Sequence, residues 1–160
     1  MRYHRGKAVA LEGSMSAQPN AVDSFELVPS GDALGAEVRG LDLSQPLPSQ
    51  TAARVRAALF DHLVLRFRDQ VLSEEQQVDF TRCFGEPVVH TRKQAARTVP
   101  GIFVVSNVVV NGVAIGALGH GTIGFHSDLA YMPLPGTIST LYAIEVPSQG
   151  GMTHWMSGYA

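Results

Sequence analysis

His126, Ser127 and Asp128 are spaced for metal chemistry. A histidine and an aspartate two residues apart point to the same side of an extended segment, because strand side chains alternate faces. One imidazole nitrogen and one carboxylate oxygen can then reach one ion. That supplies two members of the 2-His-1-carboxylate triad, which holds Fe(II) and leaves coordination positions open for substrate and O2. The third ligand would be a histidine farther downstream. Taken alone, the tripeptide reads more readily as a surface histidine beside a turn-forming aspartate, so the surrounding elements decide its meaning.

Those elements can be read in order. Ser24 to Pro29 alternates and is bounded by turn residues, which predicts a strand; Ala36 to Leu41 predicts a second, with Gly31-Asp32 turning between them. Leu43 to Pro48 is a proline-rich connector. Ser49 is placed to cap a helix running to about Asp61, with Ala52, Val55, Ala58 and Leu59 as its apolar stripe. His62 to Phe67 predicts a buried strand. Ser73-Glu74-Glu75-Gln76 is a capping box opening a helix from Glu74 to about Phe84, with Phe80, Cys83 and Phe84 on one face and Gly85 as its stop. From Ile102 to Val110 the chain predicts a strong strand, and Asn111-Gly112 is a favoured hairpin dipeptide. Gly112 to Gly124 is glycine-rich and predicts a loop leading to His126. Thr137 to Val146 predicts another strand, and Gly150-Gly151 a turn into Met152 to Trp155. Two helices early and strands later predict an α+β, mainly β fold in which a sandwich or barrel begins without being completed.

Composition narrows the function classes. At 160 residues, 45% hydrophobic and 16% charged, the chain has the make-up of one globular domain with a real core. A net charge of -2 gives no electrostatic case for nucleic acid or an anionic membrane. Arg54, Arg56, Arg66 and Arg68 read as solvated faces of a helix and a strand. No apolar run approaches a membrane span. The single Cys83 excludes an intramolecular disulfide and fits a reducing cytoplasm; its apolar neighbours make it a core thiol rather than a nucleophile. Residues 1–20 are expected to be a disordered extension, with Met15 an alternative start to Met1.

Three segments carry a resemblance: LVLRFRDQVLSEEQQVDFTRCFGE from Leu63 to Glu86, FHSDLAYMPLPGTISTLYAIEVP from Phe125 to Pro147, and GGMTHWMSGYA from Gly150 to Ala160. Together they resemble the taurine dioxygenase (TauD/TfdA-like) family of Fe(II)- and 2-oxoglutarate-dependent dioxygenases, because strand, capping box, ligand pair and Gly-Gly turn come in the family's order. The resemblance implies a double-stranded β-helix, or jelly roll of the clavaminate synthase-like kind, with flanking helices. Residues 21–160 would form the N-terminal part of one such domain, truncated at its C-terminus. His126 and Asp128 match the first two iron ligands, and Thr153 matches a position that helps bind the cosubstrate 2-oxoglutarate. His90 falls where the family carries a substrate-contacting histidine, though by itself it reads equally as an exposed histidine at a strand end. Trp155 would share Thr153's side of a strand, where it could wall the pocket, although core packing is the default for a lone tryptophan. His62, His120 and His154 have no partner at ligand spacing.

The implied reaction is hydroxylation of a small organic acid, taurine-like sulfonate or aryloxy acid, using O2 and releasing succinate and CO2. Two departures stand out: Phe125 replaces the usual tryptophan before the ligand histidine, and Met152 replaces the usual aspartate of Gly-Gly-Asp-Thr. The distal histidine and the arginine that clamps the far carboxylate of 2-oxoglutarate are expected beyond Ala160, so the chain alone is expected to be inactive. The same residues admit two other readings: a truncated, catalytically incompetent product, and a jelly-roll binding module without metal. Unpaired strand edges of an incomplete sheet invite self-association, which admits a homo-oligomer.

Overall fold

In the computed structural model, residues 25–89, 94, 99–118 and 123–159 are described. A three-stranded sheet and two helices form the first half. Strand β1 (Glu26–Pro29) pairs antiparallel with β2 (Ala36–Arg39), and β2 pairs in parallel with β3 (Leu65–Phe67). A parallel neighbour demands a crossover, and helix α1 (Ser49–His62) supplies it. Helix α2 (Glu74–Thr81) follows β3.

Helix α1 begins differently from the sequence expectation. Pro48, not Ser49, is the N-cap, and it offers no side-chain hydrogen bond. Proline's fixed φ suits the entry to a helix, and its carbonyl accepts from the Ala52 N–H at 2.9 Å. The buried stripe is Thr51, Ala52, Val55 and Ala58, with Leu59 half-buried. His62 belongs to the helix rather than to a strand. Leu63 then takes the left-handed conformation at φ 66°, while its N–H bonds the Leu59 carbonyl at 2.7 Å. That reversal turns the chain into β3, which therefore starts at Leu65.

Helix α2 carries the expected capping box. The Ser73 side chain accepts from the Gln76 N–H, and the Gln76 side chain accepts from the Ser73 N–H at 2.8 Å. Its regular part ends at Thr81, and a turn through Phe84 reaches Gly85. The core gathers Leu43 from the connector, Val55 from α1 and Phe80 from α2, flanked by Leu65, Phe67, Cys83 and Phe84. Phe80 meets Phe67 and Phe84 edge-on, at centroid separations of 5.3 and 5.5 Å, the geometry that the ring quadrupole favours. Burial pushes the Cys83 thiol pKa up, as befits a packed thiol.

The basic residues do more than face solvent. Glu37, buried on the sheet face opposite this core, accepts from Arg39 at 2.7 Å, Arg66 at 2.5 Å and Arg68 at 3.1 Å. The register explains the cluster: Glu37 lies opposite Arg66, and Arg39 and Arg68 each stand two residues along on the same face. Arg56 donates to the Cys83 carbonyl at 2.7 Å, and the Arg54 guanidinium sits 4.4 Å from the Phe25 ring centroid.

Beyond α2 the strands are short. The stretch from Ile102 to Val110 is not one strand but two pieces, β4 (Val105–Ser106) and β5 (Val109–Val110). Hydrogen bonds to two side chains, Gln94 and Ser106, interrupt it. The Gln94 amide pairs with both backbone groups of Val104, at 2.8 and 2.7 Å, and Ser106 Oγ accepts from the Val108 N–H at 3.1 Å. Such bonds compete with ladder pairing. Asn111 and Gly112 turn with φ 50° and 78°, joining β5 to β6 (Val113–Ala114) in the expected hairpin. The glycine-rich stretch expected to be loop also holds β7 (Ala117–Leu118), parallel to β4. Gly116 permits that approach, since a Cβ there would lie 2.7 Å from Ser106 N. The predicted strand from Thr137 to Val146 is irregular, as is Met152 to Trp155. Among the described residues no helix is long and apolar enough to cross a membrane.

Candidate active site

His126 and Asp128 meet. The imidazole Nε2 lies 3.3 Å from Asp128 Oδ1, and both side chains are about half exposed. They do so at the edge of a turn rather than on a regular strand: residues 128–131 turn, with the Met132 N–H bonded to the Leu129 carbonyl at 2.9 Å. Leu129 takes φ 55°, a left-handed conformation that costs an L-residue roughly 1–2 kcal/mol. Strain of this kind persists where the surroundings over-determine it, often at functional sites.

The hydrogen bonding fixes which atoms are offered. His126 Nδ1 lies 2.9 Å from the Gly124 carbonyl. A carbonyl only accepts, so Nδ1 carries the hydrogen and the neutral ring presents its Nε2 lone pair to the carboxylate. Two lone pairs facing at this distance repel unless a proton or a cation lies between them. The pair attracts a proton: the Gly124 carbonyl first, and then the Asp128 charge, push the His126 pKa above its ordinary value. It also suits a metal. Nitrogen and oxygen ligands each about 2.1 Å from an ion and roughly at right angles stand about 3 Å apart. An imidazole held by a backbone carbonyl is the usual outer-shell arrangement of a ligand histidine. The residues present thus fit a divalent ion such as Fe(II) as a two-ligand edge. No group of three metal-ligating side chains occurs among the described residues.

Sequence reasoning missed Ser139. Its Oγ donates to Asp128 Oδ2, the oxygen turned away from His126. Nothing in a serine eleven residues on, within a stretch read as strand, announces that bond. Thr153 and Trp155 are exposed in the irregular segment after Gly150 and Gly151, and neither is hydrogen-bonded to His126 or Asp128. The expected strand that would have set them on one side is absent there. The Gly-Gly turn is tight: Gly150 and Gly151 have φ 75° and 65°, and a Cβ on Gly151 would lie 2.6 Å from Pro147 Cγ. Met152, in the place of the expected aspartate, is exposed. His90 and His120 lie outside the described residues.

Comparison with known proteins identifies the family. The alpha-ketoglutarate-dependent sulfate ester dioxygenase of Pseudomonas putida is 31% identical over 148 residues, covering 89% of this chain and 44% of that protein. The (S)-phenoxypropionate/alpha-ketoglutarate-dioxygenase of Delftia acidovorans is 30% identical over 142 residues, covering 81% and 45%. The crystal structure of AAD-2 with Mn(II) and N-oxalylglycine superposes with a TM-score of 0.59 at 28% identity, over 70% of this chain and 43% of that one. N-oxalylglycine is an analogue of 2-oxoglutarate. The chain spans less than half the length of these relatives. Residues 24–160 match the family described as taurine catabolism dioxygenase TauD, TfdA family, and the chain belongs to it.

Proposed function

We propose that the protein is an Fe(II)- and 2-oxoglutarate-dependent dioxygenase that hydroxylates a small organic acid, a sulfate ester, sulfonate or aryloxy acid, releasing succinate and CO2. The observation that carries this reading is the pairing of His126 Nε2 with Asp128 Oδ1 at 3.3 Å, with Nδ1 committed to a backbone carbonyl. The family match and relatives that act with alpha-ketoglutarate support it. The substrate class rests on the relatives' named activities and on the family's description.

His126 and Asp128 would hold the iron from one side. Bound Fe(II) supplies activation of O2 coupled to oxidative decarboxylation of 2-oxoglutarate. The third ligand, a histidine, and an arginine for the far carboxylate of the cosubstrate would come from sequence beyond these 160 residues; a planar guanidinium is the natural partner for that carboxylate. Thr153, presented by the Gly150-Gly151 turn, would donate its hydroxyl to 2-oxoglutarate. His90 and Trp155 would face the substrate. We place the protein in the cytoplasm, with no nucleic-acid or membrane partner.

The test is succinate formation by the full-length protein, with Fe(II), 2-oxoglutarate and O2, against a panel of alkyl sulfate esters, alkyl sulfonates and phenoxy acids. Turnover that needs Fe(II), rises with one member of the panel and vanishes in His126→Ala is expected. Iron-dependent turnover surviving in His126→Ala would sink the assignment.

A further inference from the structure

The Asp128 carboxylate has two oxygens, and the structure gives them different work. Oδ1 faces His126, while Oδ2 accepts from Ser139 Oγ. Ser139 is itself followed by two anchored residues. The hydroxyl of the next residue, Thr140, lies 2.8 Å from that of Thr81 at the end of α2. Tyr142 Oη, two residues further, donates to the Gln70 carbonyl and accepts from the Leu72 N–H, each at 3.3 Å. The irregular segment is thus moored to the packed first half by Thr140 and Tyr142. Gly136 lies beside Asp128 as well: an added Cβ there would stand at ordinary contact distance, 3.5 Å, from the Asp128 carbonyl oxygen.

We propose that Ser139 is a positioning residue for the metal-binding carboxylate: it holds Oδ2, leaving Oδ1 alone for the ion beside His126. The inference rests on the iron reading above. Its physical basis is that a carboxylate with a free second oxygen can rotate to chelate an ion through both, filling a position that the chemistry needs open. Outer-shell hydrogen bonds to a ligand also sharpen affinity, and their loss costs about 10–100-fold. The left-handed Leu129 makes such a tether useful, because the turn following Asp128 is strained and gives the carboxylate no regular strand to stand on.

The experiment is Mn(II) titration of the full-length protein, following free Mn(II) by electron paramagnetic resonance, for the wild type, Ser139→Ala and Ser139→Thr. Thermal unfolding and the visible spectrum of the Co(II)-loaded protein accompany it. Ser139 is exposed, so the thermal midpoint should hold. Ser139→Ala should bind Mn(II) about 10-fold or more weakly and show an altered Co(II) spectrum, while Ser139→Thr, which keeps the hydroxyl, should restore both. Equal Mn(II) affinity and an unchanged Co(II) spectrum in Ser139→Ala would overturn the positioning role while leaving the iron reading intact. A drop in affinity matched by a drop in midpoint and not rescued by threonine would make the role structural and also overturn it. A wild type that takes up no Mn(II) would remove the iron reading and this inference with it.

Discussion

Asp128 makes the sharpest single-residue prediction. Asparagine keeps its shape and one hydrogen-bond acceptor but removes the charge that faces His126 Nε2 at 3.3 Å. Asp128→Asn should weaken Fe(II) or Mn(II) binding by more than the roughly 10–100-fold of an outer-shell change, measured by titration with the fold checked by circular dichroism. The pair itself was legible in the sequence, since a histidine and an aspartate two apart need only a local turn or strand to meet. What could not be read was Ser139. Its bond to Asp128 closes over eleven residues through an irregular loop, and no periodicity encodes such a contact. Thr153 was legible only as a position after two glycines; the side of the chain it faces depends on strand pairing that its own segment lacks.

At the scale of elements, short-range chemistry was the more readable part. The capping box at Ser73 is complete within four residues, so spacing alone announces it. Ser73→Ala should lower stability by about 1 kcal/mol, read from denaturant unfolding. The Asn111-Gly112 turn is equally local. Gly112→Ala forces an L side chain into φ 78°, costing about 1 kcal/mol or more, and chemical shifts should show the Val110–Val113 pairing loosened. Strands read poorly for the opposite reason. A β-branched run such as Ile102 to Val110 fits a pleated surface but does not create a partner. Here the Gln94 amide oxygen and the Ser106 hydroxyl take the N–H groups of Val104 and Val108, donors that a neighbouring strand would use. Pairing of β4 with β7 depends instead on Gly116, invisible as a strand signal. Gly116→Ala, with its Cβ 2.7 Å from Ser106 N, should part the two strands and cost about 1–3 kcal/mol.

Across the whole molecule, two regions differ in how they are held. The first half has a packed core around Val55 and Phe80 and an ion cluster on the outer face of its sheet. The half that carries His126 and Asp128 leaves large apolar side chains exposed, Leu134 at 86% and Ile144 at 84% among them, and leans on the first through Thr81–Thr140 and Tyr142. The division was partly visible in the sequence, where helices and capping signals cluster early and glycine-rich β-prone stretches follow. The charge cluster was not, because it needs the β2–β3 register. Hydrogen bonds from Arg39, Arg66 and Arg68 lower the Glu37 pKa from 4.5 to about 2. A depressed folded-state pKa contributes stability above the unfolded value, which is lost as pH falls through the folded one. Stability should therefore decline between pH 4.5 and about 2, and Glu37→Gln should be less stable at neutral pH while losing that component of the acid transition. Added salt should narrow the difference, since the arginines are half exposed.

On the function proposed above, His126 and Asp128 hold Fe(II). Anaerobic calorimetric titration of the full-length protein with Fe(II), in the presence of 2-oxoglutarate, tests it most directly. One Fe(II) per chain, with binding abolished in the His126→Ala, Asp128→Ala double variant while the fold persists, is the predicted result. Undiminished binding by the double variant would contradict it.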